Sequence, residues 1–207
     1  MTVVSIIEKA GIALSDHQSQ QFEVFHRSLL AANAESNLVG PMDQLEGFVA
    51  KHYIDCLKVA DQIDGPRSLL DLGSGAGFPG IPIKIIRPDL EVILAEPRKK
   101  RVAFLKQMIR DLQLSKTGIF SRTVTSAGIG KSMDAVISRA VESIPETLNR
   151  IYSTLNEHGK VYFMKGPDVD KELSNWQDDR YDLTGDIAYC LPFIKHQRRL
   201  LTFRKKS

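Results

Sequence analysis

The densest chemical signal in the sequence is the run Asp71-Leu72-Gly73-Ser74-Gly75-Ala76-Gly77-Phe78-Pro79-Gly80. It follows one short apolar stretch and precedes another. Glycines at such a junction allow a tight turn and let a ligand approach the main chain. Gly75-x-Gly77-x-x-Gly80 also fits the dinucleotide fingerprint, a pattern of low specificity by itself. Glu96 lies roughly 20 residues further on, where an acidic side chain accepts hydrogen bonds from ribose hydroxyls.

Asp71 separates the ligand classes. A carboxylate just ahead of the glycines repels a pyrophosphate and attracts a cation, directly or through water. S-adenosylmethionine carries an ammonium and a sulfonium and meets that demand. NAD remains a second reading, since Glu96 suits either ligand, and an RNA-binding module with a vestigial donor site is another.

The elements that must position this loop can be read from apolar periodicity. Val3, Val4, Ile6, Ile7 and Ala10 form one helical stripe that Gly11 ends. Asp16 is the expected N-cap of a second helix reaching about Ala32, with Phe22, Phe25, Leu29 and Leu30 on its buried face. A loop spans Asn37 to Pro41. A third helix starts near Asp43 and carries Leu45, Phe48, Val49 and Leu57. After Asp64-Gly65-Pro66 the pattern changes. Strands are expected at Ser68–Leu72, Leu90–Ala95, Met133–Ser138 and Lys160–Met164. Helices are expected near Ile81–Ile86, Arg98–Leu112 and Ser143–Leu155. Strand-like stretches at Asp186–Leu191 and Arg199–Phe203 lack a long helix between them, which suggests an antiparallel edge on a mostly parallel sheet. The expected division is a helical region at 1–63 and a ligand-binding α/β domain at 64–207.

Composition narrows the class. The 207 residues carry a net charge of only +3, too little alone to prove a nucleic-acid partner. Positive charge is concentrated at Arg98-Lys99-Lys100-Arg101 and near the C-terminus. Cys56 and Cys190 are far apart, and the spacing of Cys and His suggests neither a metal site nor a disulfide framework. Both cysteines are expected to be buried. The N-terminus lacks the marks of a signal peptide, and no apolar run is long enough to span a bilayer, so a cytoplasmic location is expected.

Several runs together resemble the bacterial 16S ribosomal RNA guanine-N7 methyltransferase family, also called glucose-inhibited division protein B. They are Leu70 to Pro82, Arg87-Pro88, Lys100-Arg101-Val102-x-Phe104-Leu105, Val136-Ile137-Ser138-Arg139-Ala140 and Lys165-Gly166. Asn37-Leu38 and Lys51-His52-Tyr53-Ile54-Asp55 also match. The resemblance implies a Rossmann-like class I methyltransferase fold, with a mostly parallel seven-stranded sheet behind a helical N-terminal extension. It implies S-adenosylmethionine as donor and a guanine of the decoding-region hairpin as target, in free 16S rRNA or the small ribosomal subunit. A methyltransferase acting on a small molecule or protein is the alternative, and a monomer is expected.

The expected donor contacts are Asp71, Gly73, Gly75, Gly77, Phe78, Glu96 and Arg139. The family carries an acid after its third strand, but Ser121-Arg122-Thr123-Val124-Thr125-Ser126 does not. Adenine contacts are therefore expected from the backbone around Thr123 and Val124. Arg139 and Lys165 are the expected catalytic-centre residues, and His52, Arg122, Lys165 and Arg198 the expected RNA contacts. Arg139 has an alternative role, an ion pair with Glu142. Guanine N7 has an in-plane lone pair and no proton, so it needs no general base. The sequence agrees in lacking both an Asn/Asp-Pro-Pro-aromatic motif for amine methylation and a Pro-Cys pair for cytosine C5 attack.

Overall fold

The computed structural model describes residues 1–40, 44–139, 141–174 and 176–207. The expected helix start at Asp43, the loop end at Pro41 and Ala140 of the Ser138-Arg139-Ala140 run lie outside the described residues.

Two capped helices open the chain. α1 (Val3–Lys9) is held by a capping box between Thr2 and Ser5 and presents Val3, Ile6 and Ile7 to the core. α2 (Asp16–Ser36) is capped by Ser15, not Asp16. The Ser15 side chain accepts from the Gln18 amide and Gln18 returns the bond. A serine and a glutamine three residues apart satisfy two orphan donors at once, which an isolated Asp16 at the first helical position cannot do. The helix also runs past Ala32 to Ser36, ending where Asn37 turns left-handed at φ 46°. α3 (Leu45–Val49) leads into a π-helical turn, Ala50–Ile54, and then α4 (Asp55–Ala60).

Seven strands follow: β1 (Ser68–Leu72), β2 (Glu91–Ala95), β3 (Thr117–Phe120), β4 (Met133–Arg139), β5 (Leu155–Lys165), β6 (Tyr181–Leu191) and β7 (His196–Lys205). The intervening helices are α5 (Gly80–Ile86), α6 (Lys99–Asp111), α7 (Ile144–Ile151) and the short α8 (Asp170–Ser174). The sheet order is β3-β2-β1-β4-β5-β7-β6. β3 through β5 pair in parallel, and β7 runs antiparallel to both β5 and β6. The expected antiparallel edge is therefore present. β3 was not expected from its residues: Thr117-Gly118-Ile119-Phe120 is short and half-buried throughout, so it offers little apolar contrast.

The order reverses direction at β1, whose neighbours β2 and β4 leave on opposite sides. In an open parallel sheet, ligands bind beyond the C-terminal ends of the strands at such a point. The glycine loop leaves β1 there, and Arg139 ends β4 beside it.

One apolar core runs from Val3 in α1 through α2 to Leu200 in β7. Phe25 of α2 links its parts. Its ring lies 5.3 Å from Phe78 in the glycine loop, 5.9 Å from Tyr53 and 6.4 Å from Phe104 in α6. A second core on the other face joins α7 to β7. There Trp176 packs edge-on against Phe203 at 5.0 Å, as an anchor.

Because Phe25 joins the helical segment to the loop, Phe25→Ala should lower stability by about 3–5 kcal/mol. Urea unfolding followed by fluorescence and circular dichroism should show one shifted transition. Two separated transitions would mean that the helices and the sheet do not share a core.

Candidate active site

The loop after β1 is built around main-chain hydrogen bonds. The amides of Gly73 and Ser74 both donate to the Ala95 carbonyl at 3.0 Å, tying the loop to the end of β2. Gly73 and Gly75 take φ values of 76° and 57°, in the left-handed region that favours glycine. A Cβ on Gly73 would stand 2.6 Å from Val141. On Gly80 it would collide with Leu94, because α5 packs directly on the sheet.

Asp71 serves this architecture from below. Its carboxylate is fully buried, and Oδ2 accepts the Gly80 amide at 3.0 Å where α5 begins. Oδ1 has no partner among the described residues. Burial pushes its pKa up to about 6, and Glu96 adds to that, while bonds from the loop and the Arg139 charge oppose it. Asp71, expected as a donor contact, does not line the cavity that opens above the loop; its side chain lies under the loop and holds the head of α5.

Glu96, also expected as a donor contact, is likewise turned to the main chain. Its Oε2 accepts the Gly75 amide at 3.1 Å and its Oε1 the Arg98 amide at 2.8 Å, with Arg101 Nη1 3.6 Å away. It is buried and fastens the loop to the start of α6. It also sets a negative charge beside the basic run that opens that helix, which offsets an unfavourable arrangement of charge and helix dipole.

Above the loop lies a cavity of about 420 Å³. Gly73, Ser74, Gly75, Ala76 and Phe78 form one wall, and Arg101, Arg139, His52, Asp55 and Arg198 contribute others. The volume suits a small-molecule ligand. Exposed main chain on one side and guanidinium groups at the rim suit a donor that carries an adenosine and an amino-acid carboxylate. S-adenosylmethionine fits these residues.

Arg139 reaches back to the helical segment. Its Nη1 donates to the Lys51 carbonyl at 3.1 Å, its Nη2 lies 3.4 Å from His52 Nδ1, and its guanidinium sits 5.5 Å above the Phe78 ring. The alternative ion pair with Glu142 is not formed, since Glu142 pairs with Arg150 at 2.6 Å. His52 stacks on Phe48 at 4.4 Å and lies 5.2 Å from Phe78. Burial, then the charges of Arg139 and Lys51, push its pKa down to about 3.

Arg198 is on the cavity but not free. Its Nη2 pairs with buried Asp55 at 3.0 Å, and the Tyr189 hydroxyl donates to Asp55 Oδ1 at 2.6 Å. This cluster closes β6 and β7 onto α4. Lys165 lies outside the cavity. Its ammonium is held by Glu172 at 2.8 Å and by the Glu142 carbonyl at 3.1 Å, so it braces α8 against the loop after β4. Arg122 is exposed after β3, over Phe120. Thr123 is exposed and Val124 is buried in the second core. Gly77 serves packing, since a Cβ there would collide with Ile81. Cys56 is buried as expected, but Cys190 is exposed on β6. Arg101, Lys51 and His196 were not expected on or around this cavity. Arg101 lay inside the basic run, and only the contact between Glu96 and α6 distinguishes it from its neighbours.

Comparison with known proteins sets this geometry in context. The family model described as rRNA small subunit methyltransferase G matches residues 18–202. "Ribosomal RNA small subunit methyltransferase G 2" of Syntrophobacter fumaroxidans is 38% identical over 97% of this chain, which spans 41% of that protein. The protein of the same name from Bdellovibrio bacteriovorus is 37% identical, over 98% of this chain and 80% of its own length. Among solved structures, a ribosomal protein L11 methylase from Lactobacillus delbrueckii subsp. bulgaricus aligns with a TM-score of 0.53 at 13% identity, covering 82% of this chain and 81% of its own. A precorrin-6y C5,15-methyltransferase from Geobacter metallireducens aligns at 0.54 and 10% identity, covering 83% and 95%. These structural likenesses show the class I methyltransferase fold.

Two outcomes follow from the loop. Asp71 binds its proton more tightly folded than unfolded, so its contribution to stability is lost as pH rises from about 4 through about 6. Asp71→Asn removes this dependence. Relative to wild type, the variant should gain up to about 3 kcal/mol between pH 4 and pH 7.5 in urea melts. A constant difference would mean that the carboxyl ionises normally. Gly73→Ala, strained and crowded by Val141, should weaken S-adenosylmethionine binding by about tenfold or more in calorimetric titration.

Proposed function

The chain belongs to the rRNA small subunit methyltransferase G family, and from that premise we propose that it transfers a methyl group from S-adenosylmethionine to N7 of a guanine in 16S ribosomal RNA. One observation carries the choice of atom. Among the described residues the one carboxylate on the cavity wall, Asp55, has both oxygens engaged by Arg198 and Tyr189. His52 is held next to a guanidinium that occupies its Nδ1 side. Neither of these two is placed as a general base, while His196, exposed at the start of β7, also lines the cavity. N7 carries a lone pair and no proton, so it needs no base from this wall, whereas an exocyclic amine or a ribose hydroxyl would need a proton removed.

S-adenosylmethionine supplies, when bound, an electrophilic methyl on a sulfonium. The residues supply alignment and a dry wall. Gly73 to Ala76 hold the donor against the main chain. Phe78 forms an apolar floor between the donor and target sides. Arg139, anchored on Lys51, holds its charge back from the base. Glu96, Asp71 and Gly77 keep the loop in shape.

The wider RNA is met by cations around this opening. Lys99 and Lys100 at the start of α6 and Arg122 after β3 are exposed, near the C-terminal edge of the sheet. They suit phosphate contacts, which position an RNA without reading its sequence. No described helix is long and apolar enough to cross a membrane. In this reading the chain works as a cytoplasmic monomer on the small subunit or its RNA, with residues 1–63 walling the target side of the 64–207 domain.

The test is transfer of labelled methyl to naked 16S rRNA, to assembled small subunits and to a protein extract. The label should enter one of the two RNA forms at a single guanine. Borohydride reduction and aniline scission should cleave there, as N7-methylguanine requires. Label in protein alone, or RNA label resistant to scission, would refute the proposal.

A further inference from the structure

The π-helical turn Ala50–Ile54 does more than join α3 to α4. It carries the Lys51 carbonyl and the His52 ring to the same guanidinium at the end of β4. Arginine has donors only, so at its Nη2 contact His52 Nδ1 must be the acceptor. The single proton of the neutral ring is then on Nε2. Repulsion from the guanidinium favours the same tautomer. Among the described residues Nε2 has no hydrogen-bond partner, and the ring lines the cavity. Phe48 on one side and Phe78 nearby fix its orientation.

The result is a rigid, uncharged N–H donor on a residue that lines the cavity above the glycine loop. We infer that His52 selects guanine by donating its Nε2–H to O6 of the target base. This rests on the N7-guanine reading. Guanine and adenine both offer an N7 lone pair. They differ at the adjacent six-position, where guanine has an acceptor oxygen and adenine a donor amine. A fixed N–H donor there completes a hydrogen bond with guanine and faces an amine hydrogen in adenine.

Neutrality matters because the base becomes cationic as N7 takes the methyl. A charged donor at O6 would oppose that charge. An arginine would have a second drawback, since its bidentate grip on O6 and N7 covers the nucleophile. Arg139 cannot take that grip while its two terminal nitrogens are turned to Lys51 and His52. It acts on the base through His52, as a positioning residue. The low pKa of the ring, due to burial and to the charges of Arg139 and Lys51, agrees with a donor that stays neutral across the working range.

The experiment begins with wild type and 16S rRNA, scored by borohydride-aniline scission. Absence of an N7 mark would refute the functional reading itself, before any variant is made. With the mark located, transcripts bearing guanine or adenine at that position are compared under single-turnover conditions. His52→Phe keeps the stack and removes the donor, and His52→Gln restores a neutral N–H. His52→Phe should bind S-adenosylmethionine within twofold of wild type. It should lose about tenfold or more in rate on guanine, and its preference for guanine over adenine should narrow by a similar factor. His52→Gln should recover part of both. An unchanged rate, an equal loss on both purines, or a loss of donor affinity would each overturn the inference. Imidazole nitrogen spectra give an independent readout. They should show the Nε2–H tautomer in wild type, and an Nδ1–H tautomer would also overturn it.

Discussion

Phe78 is the ring on which the separate parts of this molecule meet. It leaves the glycine loop and packs 5.3 Å from Phe25 of α2 and 5.2 Å from both Tyr53 and His52 of the π-helical turn, with Arg139 of β4 above its face. Each aromatic pair adds about 0.5–1.5 kcal/mol beyond the area it buries. The larger consequence is geometric. The glycine loop, the N-terminal helical segment and the strand that brings the guanidinium share one contact. In the proposed function a shift of the ring moves donor and target sides together, and their relative placement decides the rate of an in-line displacement.

Charge is managed around that ring by commitment. Asp55 is spent on Arg198 and Tyr189, Glu96 on two amides and Arg101, and Asp71 on the head of α5. Each carboxylate is buried, and each costs desolvation that its hydrogen bonds must offset. What is left facing the cavity among the described residues is main chain, apolar ring faces, the imidazoles of His52 and His196 and guanidinium groups. Such a surface welcomes carboxylate and phosphate. The proposed chemistry at N7 asks no proton of it.

Much of this was readable from residue order. Strand and helix spacing placed the parallel sheet, and the two late strands without a helix between them announced the antiparallel edge. The glycine loop announced the ligand, and its Phe-Pro-Gly-Ile-Pro extension the family. The direction of side chains was hidden. Asp71 and Glu96 stand at strand ends in either reading, and only three-dimensional packing shows that they turn inward to amides. Lys165 follows a strand as Arg139 does, yet the neighbouring α8 brings Glu172 to it and draws it away. The five residues of α8 are too few for a periodic signal. The π-helical turn was equally hidden, because an extra residue per turn leaves no mark in an apolar pattern this short.

That π-helical turn sets a limit on how this part of the chain can change. It takes up roughly one residue more than regular winding would, and in an α-helix each residue turns the axis by about 100°. Deleting one residue anywhere in 50–54 would let the winding become regular and swing everything after it around the axis. Asp55 would leave Arg198 and Tyr189, and β6 and β7 would lose their fastening to α4. Of the five side chains along the turn only Lys51 is exposed, and the residue count is fixed as well. The phase of this helix is what keeps the two ends of the chain in register with each other.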